Sequence, residues 1–153
     1  MLEPGKAYSG IAPLAGELWL LGGNFRDENN TSGTVKTSTV EIYDPLSRRL
    51  RLGPQLPRAA DQIVALTVYD HLYAIGGGDD KGPSPDILSI AVDENEWIHH
   101  APAPGPFMQA SGCVLRGKIY IAAGPSAMCP ELFVYDPQQD RWDPDHTPCA
   151  TAP

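Results

Sequence analysis

Four histidines, three cysteines and a scatter of serines are the residues of this 153-residue chain suited to catalysis or metal binding, and their spacing argues against both. His71 lies inside a stretch that reads as a strand, His99 and His100 are adjacent and so point to opposite faces of a strand, and His146 stands in a polar tail. None has the i, i+2 or i, i+4 partner through which two imidazoles share one metal. Cys113, Cys129 and Cys149 form no CxxC pair and cannot all pair within the chain, which fits a reducing compartment and a cytoplasmic location. Cys113 follows Ser111-Gly112 in a strand-like stretch, where cysteine acts as a small core residue, and Cys129 has no basic neighbour to activate it. No GxSxG nucleophile elbow occurs. The expectation is a non-enzyme with no catalytic residue, no metal and no cofactor.

The elements that would position any site are short. Fifteen Gly and 16 Pro punctuate the chain, and only Arg58 to Ile75 and Asp86 to Ala101 run longer than about twelve residues without either. Both are rich in Val, Ile, Thr and aromatics, so long helices have nowhere to form and an all-β chain is expected. A formal charge of −8 argues against nucleic acid and anionic membrane as partners. No apolar run approaches a membrane span, and the Met-Leu-Glu-Pro-Gly-Lys start lacks the regions of a signal peptide.

Three copies of one pattern follow in order. Leu20-Leu21-Gly22-Gly23 recurs as Ala74-Ile75-Gly76-Gly77 and, weakened, as Ile121-Ala122-Ala123-Gly124. Each is followed by a turn-forming landmark, Tyr43-Asp44-Pro45, then Ile90-Ala91-Val92, then Tyr135-Asp136-Pro137, and by a large apolar residue, Leu50, Trp97 or Trp142. Each unit reads as four short antiparallel strands, the first two joined at Gly16, Asp70 or Gly117 and the fourth carrying the Leu50, Trp97 or Trp142 position, with Trp19, Tyr73 and Tyr120 equivalent and buried, as are Trp97 and Trp142. One such sheet cannot bury both faces alone, so the copies must stack around an axis.

In this ordered pattern the chain resembles the kelch repeats, in which a Gly-Gly doublet, a Tyr and a Trp mark each blade of a β-propeller. Each copy departs once: Leu50 for Trp, Ile90 for Tyr, Ala123 for the first Gly. The resemblance implies a kelch-type propeller segment over 1–153, with blades near 7–56, 57–102 and 103–148. Three blades make an incomplete ring, since closed propellers have about four to eight. The chain is then either part of a longer protein, the preferred reading, or one of two copies that associate.

Function in such a fold belongs to the loops. From doublet to Tyr position the first copy is longest, and its insertion, Asn24 to Lys36, holds Arg26, Asp27, Glu28, Asn29 and Asn30. Arg26 is the expected anchor, because a guanidinium fork clamps a carboxylate. By the resemblance Asp79, Asp80 and Lys81 share that face, as do Ser126 and Met128, while Arg58 and Phe107 join from the inter-blade segments. The resemblance implies a protein-interaction module, similar to substrate-recognition domains of cullin-type ubiquitin ligase adaptors or to cytoskeletal scaffolds. The alternative it leaves is part of a propeller enzyme such as a sugar epimerase or copper oxidase.

Overall fold

The computed structural model describes residues 5–27, 29, 33–123 and 131–144, and among them the chain is all-β with no helix. In chain order the strands are β1 (Gly10–Leu14), β2 (Glu17–Leu21), β3 (Asn24–Arg26), β4 (Thr34–Lys36), β5 (Val40–Asp44), β6 (Arg49–Leu52), β7 (Asp61–Val68), β8 (His71–Asp79), β9 (Gly82–Pro83), β10 (Ile87–Ala91), β11 (Ile98–His99), β12 (Ser111–Leu115), β13 (Lys118–Ala123), β14 (Glu131–Asp136) and β15 (Arg141–Trp142). They form four antiparallel sheets: three blades with strand orders β1-β2-β5-β6, β7-β8-β10-β11 (β9 also pairing with β8) and β12-β13-β14-β15, and the two-stranded β3-β4. The first strands, β1, β7 and β12, lie beside one another, so the sheets stack as successive blades of a partial kelch propeller. The ring is open. Trp97 lies one residue before β11 rather than within the fourth strand.

Two-residue turns join the first and second strands of every blade, pairing Leu14 with Glu17, Val68 with His71 and Leu115 with Lys118. Their twist needs left-handed backbone, supplied at Ala15 (φ 51°) with Gly16 (φ 82°) and at Arg116 (φ 52°) with Gly117 (φ 75°). In blade two the positive φ falls on Tyr69 (φ 55°) rather than on Asp70, the residue whose type suggested it.

The glycine doublets link one blade to the next. Gly23 N–H donates to Ala60 O and Gly77 N–H to Phe107 O, both at 2.8 Å, tying each second strand to the segment that enters the following blade. A Cβ on Gly22 would lie 2.2 Å from Ala60 O, and one on Gly76 would lie 2.5 Å from Phe107 O. The doublet is therefore the seat of an inter-blade crossing that no larger residue fits.

Between the blades lie two apolar cores. One joins Leu21, Val40 and Ile42 of blade one to Leu72, Leu88 and Ile90 of blade two; the other joins Tyr73, Ile75 and Ile87 of blade two to Ile119, Ile121 and Tyr135 of blade three. Each such side chain contributes about 1.5–3 kcal/mol on burial. Trp19, Tyr73 and Trp97 are buried as expected, whereas Tyr120 and Trp142 are only half-buried. Cys113, expected in the core, is exposed. Tyr120 and Cys113 face each other across β12–β13 on the outward side of blade three, over which no described residue packs.

Candidate functional site

At the doublet end of the blades, the polar insertion of blade one is an ordered β-hairpin at its base rather than a plain loop. Asn24 pairs with Lys36, Phe25 with Val35 and Arg26 with Thr34. A second hairpin projects from blade two, where Gly78 pairs with Pro83 and Asp79 with Gly82 across the turn Asp80-Lys81. Lys36 joins the two: its Nζ donates to Asp79 O at 2.9 Å and lies 3.4 Å from Asp61 Oδ1. Asp61 is buried and its other oxygen accepts from Asn24 Nδ2 at 2.6 Å, so both strands at the base of the first hairpin are pinned to blade two.

Arg58 forms the second tie. Its Nε donates to Asp86 Oδ2 at 2.9 Å, Nη1 stands 3.4 Å from Asp79 Oδ2, and Nη2 reaches Gly76 O at 3.4 Å. One guanidinium fork thus braces the blade one to blade two crossing against the β8–β9 hairpin. The Lys81 backbone N–H and the Arg58 charge hold the Asp79 carboxyl below its ordinary range. Burial pushes Asp86 up, but the Ser84 and Arg58 hydrogen bonds outweigh it and its net shift is downward.

Of the expected recognition residues, Arg26, Asn29, Asp80 and Lys81 are exposed, and Asp27 is half-buried and accepts the Asn29 N–H at 2.9 Å. Arg58 and Asp79 are brought together as an ion pair. Glu28, Asn30, Ser126, Met128, Cys129 and His146 lie outside the described residues. Phe107, expected among the recognition positions, is buried: its ring stands 5.0 Å from Phe133 and 5.7 Å from Trp142. Beside it an apolar hollow of about 300 Å³ opens between blades two and three, lined by Pro106, Met108 and Phe133 with Glu131 at its edge. Sequence reasoning missed this hollow. Its signal was the apolar pair Phe107-Met108 in an otherwise Pro- and Gly-rich connection.

A second polar group lies at the blade two to blade three junction. Ser89 Oγ and His100 Nε2 are 2.6 Å apart, His100 Nδ1 lies 3.5 Å from Asp140 Oδ1, and Tyr135 Oη donates to the same carboxylate oxygen at 2.6 Å. The order Ser, His, Asp is that of a nucleophile relay, but Ser89 is 1% exposed, so no substrate carbonyl can approach its Oγ. Burial holds His100 below its ordinary pKa despite the Asp140 charge, and burial followed by the Asp140 hydrogen bond pushes Tyr135 up. These groups act as a polar brace. Among the described residues no cluster of His, Cys, Asp or Glu is arranged to hold a metal ion, and no helix is long and apolar enough to cross a membrane.

No family model matches the chain. Curated relatives do. Over 144 residues, 92% of the chain, it is 28% identical to Kelch-like protein 35 of Mus musculus, of which it spans 23%. It is 29% identical over 147 residues to alpha-scruin of Limulus polyphemus, covering 90% of the chain and 16% of that protein. An F-box/kelch-repeat protein of Arabidopsis thaliana is 28% identical over 148 residues, 92% of the chain and 34% of the relative. The chain thus spans about a third or less of these relatives, and over about nine-tenths of its own length it is similar to kelch-repeat proteins, its three ordered repeats each forming one blade-like antiparallel sheet.

Proposed function

We propose that this kelch-repeat domain recognises another protein through the doublet end of its blades. The observation that carries this reading is the joining of the two polar hairpins, β3–β4 and β8–β9, by Lys36 beside an apolar hollow. A held polar ridge next to an apolar recess is how protein interfaces combine specificity with anchoring. Arg26, Asp27, Asn29, Asp80 and Lys81 supply the ridge, with Glu28 and Asn30 in the same insertion; Arg58 takes part by fixing Asp79 in place. The names Kelch-like and F-box/kelch-repeat support a finer reading, in which such a domain holds the substrate of a cullin-type ubiquitin ligase adaptor in the cytoplasm. A cytoskeletal scaffold is the other form that the resemblance admits.

The test compares the parent with Arg26→Ala and with a variant whose Phe25–Val35 segment is replaced by a two-residue turn. Cross-linking mass spectrometry on captured partners locates the contact face. Folding unchanged within about 0.5 kcal/mol, with partner cross-links lost in both variants, is the expected result. Identical partners and cross-links for all three proteins would place recognition elsewhere.

A further inference from the structure

The two inter-blade crossings are built on one plan, and the second lacks the side chain that closes the first. At the first, Leu56 N–H donates to Ser38 O and Ala60 N–H to Thr37 O; at the second, Ala103 N–H donates to Pro85 O and Phe107 N–H to Ser84 O. Arg58 lies midway in the first segment and Gly105 midway in the second, each just after a proline. The carboxylate that Arg58 grips also has a counterpart. Asp86 directly precedes Ile87, which pairs with Ile75, and Glu131 directly precedes Leu132, which pairs with Ala122 at the same place in blade three. The second crossing therefore keeps the carboxylate and lacks the arginine.

The space left at each crossing follows from that difference. Around Arg58 and Asp86 it is about 10 Å³, whereas around Gly105 and Glu131 it is the hollow of about 300 Å³. The small space at the first crossing is lined by the crossing and blade two alone, with nothing from the blade that follows, so a following blade does not line its counterpart either. The walls of the hollow suit a guanidinium. Phe107 and Phe133 line it with ring centroids 5.0 Å apart, Met108 flanks them, and Glu131 stands at the edge. A planar cation stacks on aromatic rings and pairs a carboxylate through its fork, which a compact ammonium does less well. Other interactions of Glu131 do not bar this, because a carboxylate accepts several bonds at once, as Asp86 does from Ser84 and Arg58. The net charge of −8 draws a basic partner toward the site.

We propose that the hollow takes an arginine side chain from a basic segment of a partner protein, whose guanidinium meets Glu131 as Arg58 meets Asp86. The partner thus supplies the group that the first crossing holds within the chain. This rests on the doublet end being the recognition face, and it names the chemistry of the partner there.

NMR of isotope-labelled methionine methyls tests it, with N-acetyl-argininamide and its neutral isostere N-acetyl-citrullinamide as probes and Met108→Leu to assign the reporting signal. The Met108 methyl should shift saturably with the arginine probe, and the citrulline probe should bind about fivefold or more weakly. Glu131→Gln should lose the same factor. Gly105→Arg supplies the side chain from within the chain, at a position where an added Cβ meets nothing within 4 Å, and should abolish the shift. It should also melt above Gly105→Gln, an order that needs no probe and decides the matter if Glu131→Gln does not fold. Equal binding of the two probes overturns the proposal and leaves an apolar recess. So does an unmoved Met108 signal, or an arginine response that survives Glu131→Gln. Failure here is separable from failure of the recognition face. Partner cross-links that stay on the two hairpins beside an unresponsive Met108 overturn the arginine site alone, whereas a responsive Met108 with cross-links elsewhere overturns the recognition face and, with it, the partner's place in the hollow.

Discussion

The indole N–H of Trp97 donates to the carbonyl oxygen of Pro54 at 3.0 Å, crossing from blade two to the segment that leaves blade one. Trp142 repeats the bond to Ala101 at 3.3 Å, one blade further on. A Trp at this position fills the wedge between sheets with its rings and satisfies a backbone carbonyl with its one polar atom. Leu50, its counterpart in blade one, has no such donor.

Replacing Trp97 by Ala should cost about 3–5 kcal/mol, since the site is buried and a cavity would remain between two sheets. Trp97→Phe keeps much of the apolar volume and should recover more than half of that loss, the remaining cost including about 1 kcal/mol for the hydrogen bond. Urea titration followed by circular dichroism measures both. Equal costs for the two variants would mean that the indole N–H, not the filled wedge, secures the junction.

The second prediction concerns the doublet. Gly76 has φ +65°, and an added Cβ would also meet Phe107 Cβ at 2.8 Å. Gly76→Ala should therefore cost about 3 kcal/mol, from backbone strain and displacement of the next blade. Gly105, whose added Cβ would meet nothing within 4 Å, is the control and should change stability by about 0.5 kcal/mol or less. Thermal melts of the two variants side by side decide it.

The four-stranded unit, the first two doublets and the positions of Tyr43, Ile90 and Tyr135 were legible in the sequence because the pattern recurs in order, and a repeat exposes spacing that a single copy hides. Trp19, Tyr73 and Trp97 were placed in the core by the same logic. Cys113 and Tyr120 were misplaced because their burial depends on a covering sheet, which strand pattern alone does not report. The hairpin at Asn24–Arg26 and Thr34–Lys36 escaped notice since three residues per strand are too few for alternation to show. The ties of Lys36 to Asp79 and of Arg58 to Asp86 join residues 43 and 28 positions apart, and only the folded crossing brings them together. His99 and His100 read as neighbours on opposite faces of one strand, and of the two His100 is not in the strand. It lies instead just past the short β11, where its backbone bonds Ile87 and its ring reaches Ser89.

Arg58 offers a third prediction. Its side chain and those of Asp79 and Asp86 keep 25–38% of their surface, so Arg58→Ala should cost only about 1 kcal/mol. Arg58→Lys should not restore the loss, because an ammonium cannot span Asp86, Asp79 and Gly76 O at once. Hydrogen exchange at Gly77–Asp79 should quicken in both variants, and unchanged exchange would show that Lys36 alone fixes the second hairpin.

The last prediction follows from the buried brace at the blade two to blade three junction. His100 faces Ser89, Tyr73, Tyr135 and Asp140, with His71 and His99 adding weaker repulsion, and burial is the largest cause of its lowered pKa. A histidine whose folded pKa lies below its unfolded value of about 6.5 takes up fewer protons folded than unfolded as the pH falls through that value. Its contribution to stability is therefore complete above about pH 7 and declines from there until the folded pKa is passed. Asp140 is held low, first by the Tyr135 hydroxyl, so its own contribution is lost only under more acid conditions, below the ordinary carboxylate range. Urea midpoints measured from pH 7.5 to pH 5.5 should fall for the parent, and the part of that slope due to His100 should vanish in His100→Asn, which is uncharged throughout. A parent and variant with parallel slopes would assign the pH dependence to another histidine and leave His100 a packing residue alone.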